Sequence, residues 1–236
     1  MSLSGVRVVR VEPMRGSAQG VHVHLSEGDP IEAPIQAWLE SGLHAGAELD
    51  PKALADLHRR TRYWRARHAA LSLLSYRARS RRELVTALRK KGHAFPDLES
   101  VLDDLEARGL LDDAGFAEAL VRDRIRHRPR GNRRLLSELR EKGVDAATAE
   151  RAVERAMTQM ETDEDRLAEE VGRHWARTQS IGTLETLTQK GFSPEQQKVS
   201  RRLYGHLARR GFGGQALRCG VEAAGREAAE RLAAAP

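Results

Sequence analysis

Four groupings in this chain have residue types that chemistry uses. His22-x-His24 puts two imidazoles on one face of an extended segment. A metal site needs a third ligand, none is evident, and an exposed histidine pair explains the spacing. Asp112-Asp113 offers the paired carboxylates of a metal nuclease. Helix capping accounts for them, and adjacent residues at a helix start point apart. Cys219 is the single cysteine, which excludes an intrachain disulfide and a cysteine-based zinc cage; it reads as a core thiol rather than a nucleophile. Gly211-x-Gly213-x-x-Ala216 has a dinucleotide-loop spacing, but it follows a helix instead of a strand. No G-x-x-x-x-G-K-S/T phosphate loop occurs. The expectation is a protein without catalysis, cofactor or metal.

Arginine remains. Between His58 and Gly92 lie Arg59, Arg60, Arg62, Arg65, Arg67, Arg77, Arg79, Arg81, Arg82, Arg89, Lys90 and Lys91, against Glu83 alone. Seven arginines run from Arg122 to Arg134 against Asp123. Acidic residues gather elsewhere, in Asp97–Glu118 and Glu161–Glu170. Planar guanidinium groups fork onto phosphate oxygens, so these runs suit a polyanion. The alternative is a solvated helix face with ordinary salt pairs. The candidate binding residues are Arg77, Arg79, Arg81, Arg82, Arg89, Lys90, Lys91, Arg122, Arg126, Arg128, Arg130, Arg133, Arg134, Arg201, Arg202, Arg209 and Arg210. Aromatics near them are few, and Trp64 and Tyr76 read as core residues rather than base-stacking platforms. Binding should then be sequence-tolerant and salt-sensitive.

These side chains need elements to hold them. The 236 residues are 40% hydrophobic and 31% charged but only 4% aromatic. A Leu, Val and Ala core favours helices over a β-sandwich. No apolar run is long enough to span a bilayer, and the first residues lack a signal-peptide core, so a cytoplasmic location is expected. The first 34 residues differ from the rest. Val6 and Val8, then Val9 and Val11, alternate with one slip, as at a bulge. Pro13–Gly20 reads as a turn, Val21–Leu25 as the returning strand, and Ile31–Ala33 as a third short strand. Pro34 opens a short helix ended by Gly42, and Asp50-Pro51 is a helix start.

Beyond that the pattern is helical and repeated. RRELVTALRKKG (81–92), NRRLLSELREKG (132–143) and SRRLYGHLARRG (200–211) superpose, with leucines four apart and a basic residue before a terminal glycine. Arg77, Arg79 and Arg82 fall on Arg128, Arg130 and Arg133 at a 51-residue offset. The third unit is longer by about 17 residues, within Ser180–Lys198. The reading is a mainly α protein. A small β-hairpin-containing piece (1–57) precedes three tandem three-helix repeats, at 58–110, 111–160 and 161–236, the last with an insertion near 180–198. Repeats that each bury one apolar side should stack into an elongated, curved solenoid with arginine along one edge.

The linked segments LSYRARSRREL through LRKKG (74–92), GLLDDAGFAEALVRDR (109–124), RLLSELREKGV (134–144) and LARRGF (207–212) resemble the bacterial RecX family. The resemblance covers all three repeats and extends to GLHAGAELD (42–50). It implies a non-enzymatic modulator of the RecA recombinase, built of tandem three-helix repeats. Such proteins bind in the groove of the RecA–DNA filament, block its extension or promote its disassembly, and curb ATPase, strand-exchange and co-protease activities. The implied setting is DNA repair, homologous recombination and the SOS response. The implied partners are the RecA filament and single- or double-stranded DNA, with no membrane, and the protein is expected as a monomer. The other class open to the sequence is a nonspecific DNA- or RNA-binding helical scaffold without a recombinase partner. A metal nuclease is a third, requiring cleavage that a chelator abolishes.

Overall fold

The computed structural model describes residues 6–14, 20–93, 95–189, 191 and 193–235. The expected turn at Pro13–Gly20 falls mostly outside them. The chain divides into two compact units, Met1–Asp112 and Asp113–Pro236.

The first unit opens with a four-stranded antiparallel sheet. Its strands are β1 (Val6–Pro13), β2 (Gly20–Leu25), β3 (Ile31–Pro34) and β4 (Glu48–Leu49), in the order β3-β2-β1-β4. The β1–β2 register shifts between Val8 and Arg10, where the valine alternation slips. One sheet face buries Val8, Val21, Val23, Ile31 and Ala33 with Leu49 and Leu57. Helix α1 (Ile35–Ser41) ends at Gly42, whose φ of 67° is the left-handed cap that glycine adopts without strain.

Helix α2 (Pro51–Tyr76) is 26 residues long. Asp50 accepts a hydrogen bond from the Ala53 amide at 2.6 Å, and proline occupies the first turn. The helix thus begins at the Asp50-Pro51 start expected from the sequence and continues unbroken to Tyr76. The domain boundary expected at 57/58 lies inside it. The N-terminal half of α2 packs on the sheet through Leu57. Its C-terminal half packs through Ala66 and Ala70 on helices α3 (Arg81–Lys90) and α4 (Phe95–Ala107), burying Leu84, Leu88, Leu98, Val101, Leu102 and Leu105.

The second unit is all helix: α5 (Asp113–His127), α6 (Asn132–Glu141), α7 (Ala146–Gln159), α8 (Glu164–Arg177), α9 (Ile181–Thr188), α10 (Pro194–Arg209) and α11 (Gly214–Ala233). The expected insertion contains α9, which buries Leu184. Repeats two and three share one apolar core, with Leu135 and Leu139 of the second and Leu203 and Leu207 of the third fully buried. Helices α8 and α11 cross at a small-residue seam. A Cβ on Gly172 would collide with the Gly220 carbonyl, and one on Gly220 would come within 2.8 Å of the Ala168 carbonyl. Arg231 donates to the carbonyls of Ala176, Arg177 and Gln179 at 2.9–3.1 Å, closing the end of α8. No helix is long and apolar enough to cross a membrane, among the described residues.

Candidate nucleic-acid interface

Many of the predicted arginines sit at the corners between the first and second helices of the first two repeats, while Arg201, Arg202, Arg209 and Arg210 of the third lie along α10 and at its end. Two corners have the same build. Helix α2 ends at Tyr76, the chain bends at Arg77, and Ser80 caps α3 by accepting from the Glu83 amide at 3.1 Å. Helix α5 ends at His127, the chain bends at Arg128, and Gly131 takes the capping position before α6. Gly131 has no side chain to cap with. Glu164 of α8 supplies the acceptor instead, taking the Asn132 amide at 3.0 Å. Burial holds the Glu164 carboxyl above its ordinary range despite that bond.

The first corner is partly neutralised. Arg77 donates to Glu83 and to the Ala78 carbonyl, both at 2.8 Å. Arg79 donates to the Leu73 carbonyl at 3.3 Å. Arg81 is held between Asp103 and Glu106 of α4, each at 2.8 Å. The expectation that acidic residues gather apart from the arginines is corrected here. They are distant in sequence, but the fold returns α4 against α2 and α3, so Asp104 pairs with Arg67 and Arg108. Upstream, Asp56 pairs with Arg59 and Arg60. Arg82, Arg89, Lys90 and Lys91 are exposed on α3 and its end.

The second unit does the opposite: it gathers arginines from two repeats around open space. A cleft of about 420 Å³ is lined by Arg128, Arg130, Arg134, Arg209 and Arg210. Beside it, a second of about 620 Å³ is lined by Arg133, Arg134, Arg140 and Arg209 with Leu136, Ser137, Ala208 and Gly211. Two glycines make the convergence possible. The Gly131 amide donates to the Arg210 carbonyl at 3.0 Å. A Cβ on Gly131 would strike the Gly211 carbonyl, and one on Gly211 would strike Arg134. Gly211 also holds a φ of 94°, where L side chains are strained.

One carboxylate organises the floor. Glu138 of α6 is 12% exposed and accepts from Arg124 and Arg130. Burial alone would raise its carboxyl, but the Arg124 hydrogen bond and the charges of Arg124, Arg130 and Arg134 hold it below the usual range. Arg210 has no such counterweight. It is half-buried, it donates to the Pro129 carbonyl at 3.4 Å, and burial together with the Arg130 charge disfavours its charged form. At the superposed position of the third repeat, Glu138 is replaced by His206. Burial and the Arg210 and Arg209 charges keep that imidazole low. The clefts therefore concentrate positive charge that an anion would relieve.

Not every candidate joins them. Arg122 donates to Glu118 and Gln159 along α5 and across to α7. Arg202 donates to Gln179 at 3.2 Å. Arg126 and Arg201 are exposed and line neither cleft. Arg140 was missed, although it stands 51 residues after Arg89 and the repeat alone pointed to it. Tyr76 corrects the core expectation outright, being 86% exposed. Trp64 is half-buried, donates to Glu40 at 3.0 Å and lies under the Arg67 guanidinium. Cys219 is half-buried rather than in the core. The His22 and His24 rings lie 6.3 Å apart, tilted by 45°, with Glu12 at 3.3 Å from His24. Among the described residues no three His, Cys, Asp or Glu side chains converge as a metal group.

Comparison with known proteins agrees with this architecture. Residues 66–105 match the first three-helix domain of RecX, and residues 112–153 match the second. "Regulatory protein RecX" of Mycolicibacterium vanbaalenii is 38% identical over 148 residues, 62% of this chain and 75% of that protein. The protein of the same name from Halalkalibacterium halodurans is 30% identical over 198 residues, 83% of this chain and 70% of the other. A crystal structure of regulatory protein RecX superposes with a TM-score of 0.68 at 20% identity, covering 92% of this chain and 98% of that one. The RecX structure from Lactobacillus salivarius gives 0.51 at 22% identity, covering 74% and 98%.

Proposed function

The chain belongs to the RecX family of regulatory proteins, and on that premise we propose that it is a non-enzymatic, cytoplasmic, monomeric regulator of the RecA recombinase filament on DNA. The observation that carries this reading is the pair of arginine-lined clefts in the second unit. Guanidinium groups from two repeats converge there on space that only an anion fills favourably. Phosphates of filament-bound DNA, or acidic surface of the filament itself, meet that description. Arg82, Arg89, Lys90 and Lys91 of the first unit add exposed charge of the same kind.

The mechanism is steric. Bound protein occupies filament surface that a second DNA strand or an incoming recombinase subunit would use. Extension, ATP turnover and strand exchange fall together. Contacts with several filament subunits raise the effective concentration without any one contact being strong.

The test is ATP turnover by preassembled recombinase filaments. Substoichiometric protein should lower it. The clefts themselves also favour a second reading, a sequence-tolerant nucleic-acid scaffold, because any phosphodiester chain satisfies them. Unchanged turnover with nucleic acid still bound would establish the scaffold instead.

A further inference from the structure

Two corners, one in each unit, carry the same unexplained surface feature. Tyr76 is the last residue of α2 and His127 the last of α5, 51 residues apart. Both are exposed. Each is followed at once by Arg-x-Arg: Arg77 and Arg79 in the first corner, Arg128 and Arg130 in the second. The first arginine of each pair is exposed, Arg77 bonded to Glu83 and Arg128 with no carboxylate partner among the described residues, and the second is half-buried and tied down, Arg79 to the Leu73 carbonyl and Arg130 to Glu138. The third repeat lacks the feature, with Thr178 at the equivalent position and the chain turning into α9.

A single exposed aromatic ring needs no explanation. A flat ring repeated at the same residue of two repeats, each time ahead of two arginines, does. Neither ring joins the apolar core of its unit: both lie at a helix end. Such a ring presents a face that any unpaired base can cover, with an exposed guanidinium group, Arg77 or Arg128, next to it for a flanking phosphate. Paired bases are already stacked within a duplex and offer no free face.

We propose that Tyr76 and His127 are stacking platforms for unpaired bases, so that these corners favour single-stranded over double-stranded nucleic acid. The inference rests on the nucleic-acid contact proposed above and adds what that contact selects.

The experiment measures binding of the full-length protein to a labelled oligothymidine and to a hairpin duplex of equal phosphate number, by fluorescence anisotropy. Tyr76→Ala and His127→Ala should each weaken single-strand binding about tenfold and leave duplex binding unchanged. Tyr76→Phe keeps the ring and should bind as the parent does. Circular dichroism checks that helicity is retained. Equal losses on both ligands, or no loss on either, overturn the stacking role while the arginine contact stands. Loss of recombinase binding alone makes the rings a protein contact and also overturns it. A parent that binds neither oligonucleotide removes the nucleic-acid contact itself, and the platforms with it.

Discussion

Glu138 shows how one residue separates structural from available arginine. It accepts from Arg124 and Arg130, whereas Arg128, Arg134 and Arg209, which line the cleft together with Arg130 and Arg210, have no carboxylate partner among the described residues. Glu138→Gln removes the charge and leaves two partly buried guanidinium groups poorly paired. We expect a loss of about 1–3 kcal/mol in urea unfolding at neutral pH. The pH dependence has a definite sign. The Glu138 carboxyl is held below its ordinary value of 4.5 in the folded state. Its contribution is therefore full above pH 4.5 and is lost as pH falls through the lower folded value. Urea midpoints measured from pH 6 downward should fall less steeply in Glu138→Gln than in the parent. Equal slopes would mean that Glu138 does not bind its arginines in solution. At this scale the sequence told part of the story. It displayed the arginines but not their partners, since Arg81 meets Asp103 and Glu106 only once α4 has folded back.

At the scale of helices, local chemistry was legible and close packing was not. Asp50, Ser80, Asp145 and Ser193 each accept from the amide three residues on, as their sequence positions require. The leucine pairs four apart are the buried stripes of α3, α6 and α10. By contrast β4 has only two residues and no alternation to read. The seam between α8 and α11 depends on residues 48 apart that no periodicity links. There Gly172 and Gly220 let the two backbones touch. Gly172→Ala would gain helix propensity in isolation. Here the added methyl meets backbone that cannot swing aside, so the helices must separate. Thermal unfolding should show a net destabilisation of about 1–3 kcal/mol. Gly225→Ala, in α11 with open space at its Cβ, should be neutral or slightly stabilising. The contrast tests the seam rather than glycine content.

For the whole molecule, the formal charge of +6 is a poor guide to how strongly it grips a polyanion. Forty basic and thirty-four acidic residues nearly cancel; what the ligand meets is local, because screening limits exposed charges to roughly 10 Å at 0.1 M salt. Arginines already answered by carboxylates release few counterions on binding, whereas those around the clefts release about one each. Arg128→Ala, Arg134→Ala and Arg209→Ala together should therefore weaken DNA binding strongly. They should also flatten the slope of log affinity against log salt by about 0.7–0.9 for each phosphate that is no longer neutralised. The triple Arg67→Ala, Arg81→Ala, Arg122→Ala removes the same formal charge from residues bonded to Asp104, Asp103 and Glu118. Its slope should change little, even if its stability falls. Titrations at several salt concentrations decide between the two. Equal flattening in both triples would mean that net charge, not the convergence of two repeats on one cleft, governs the contact.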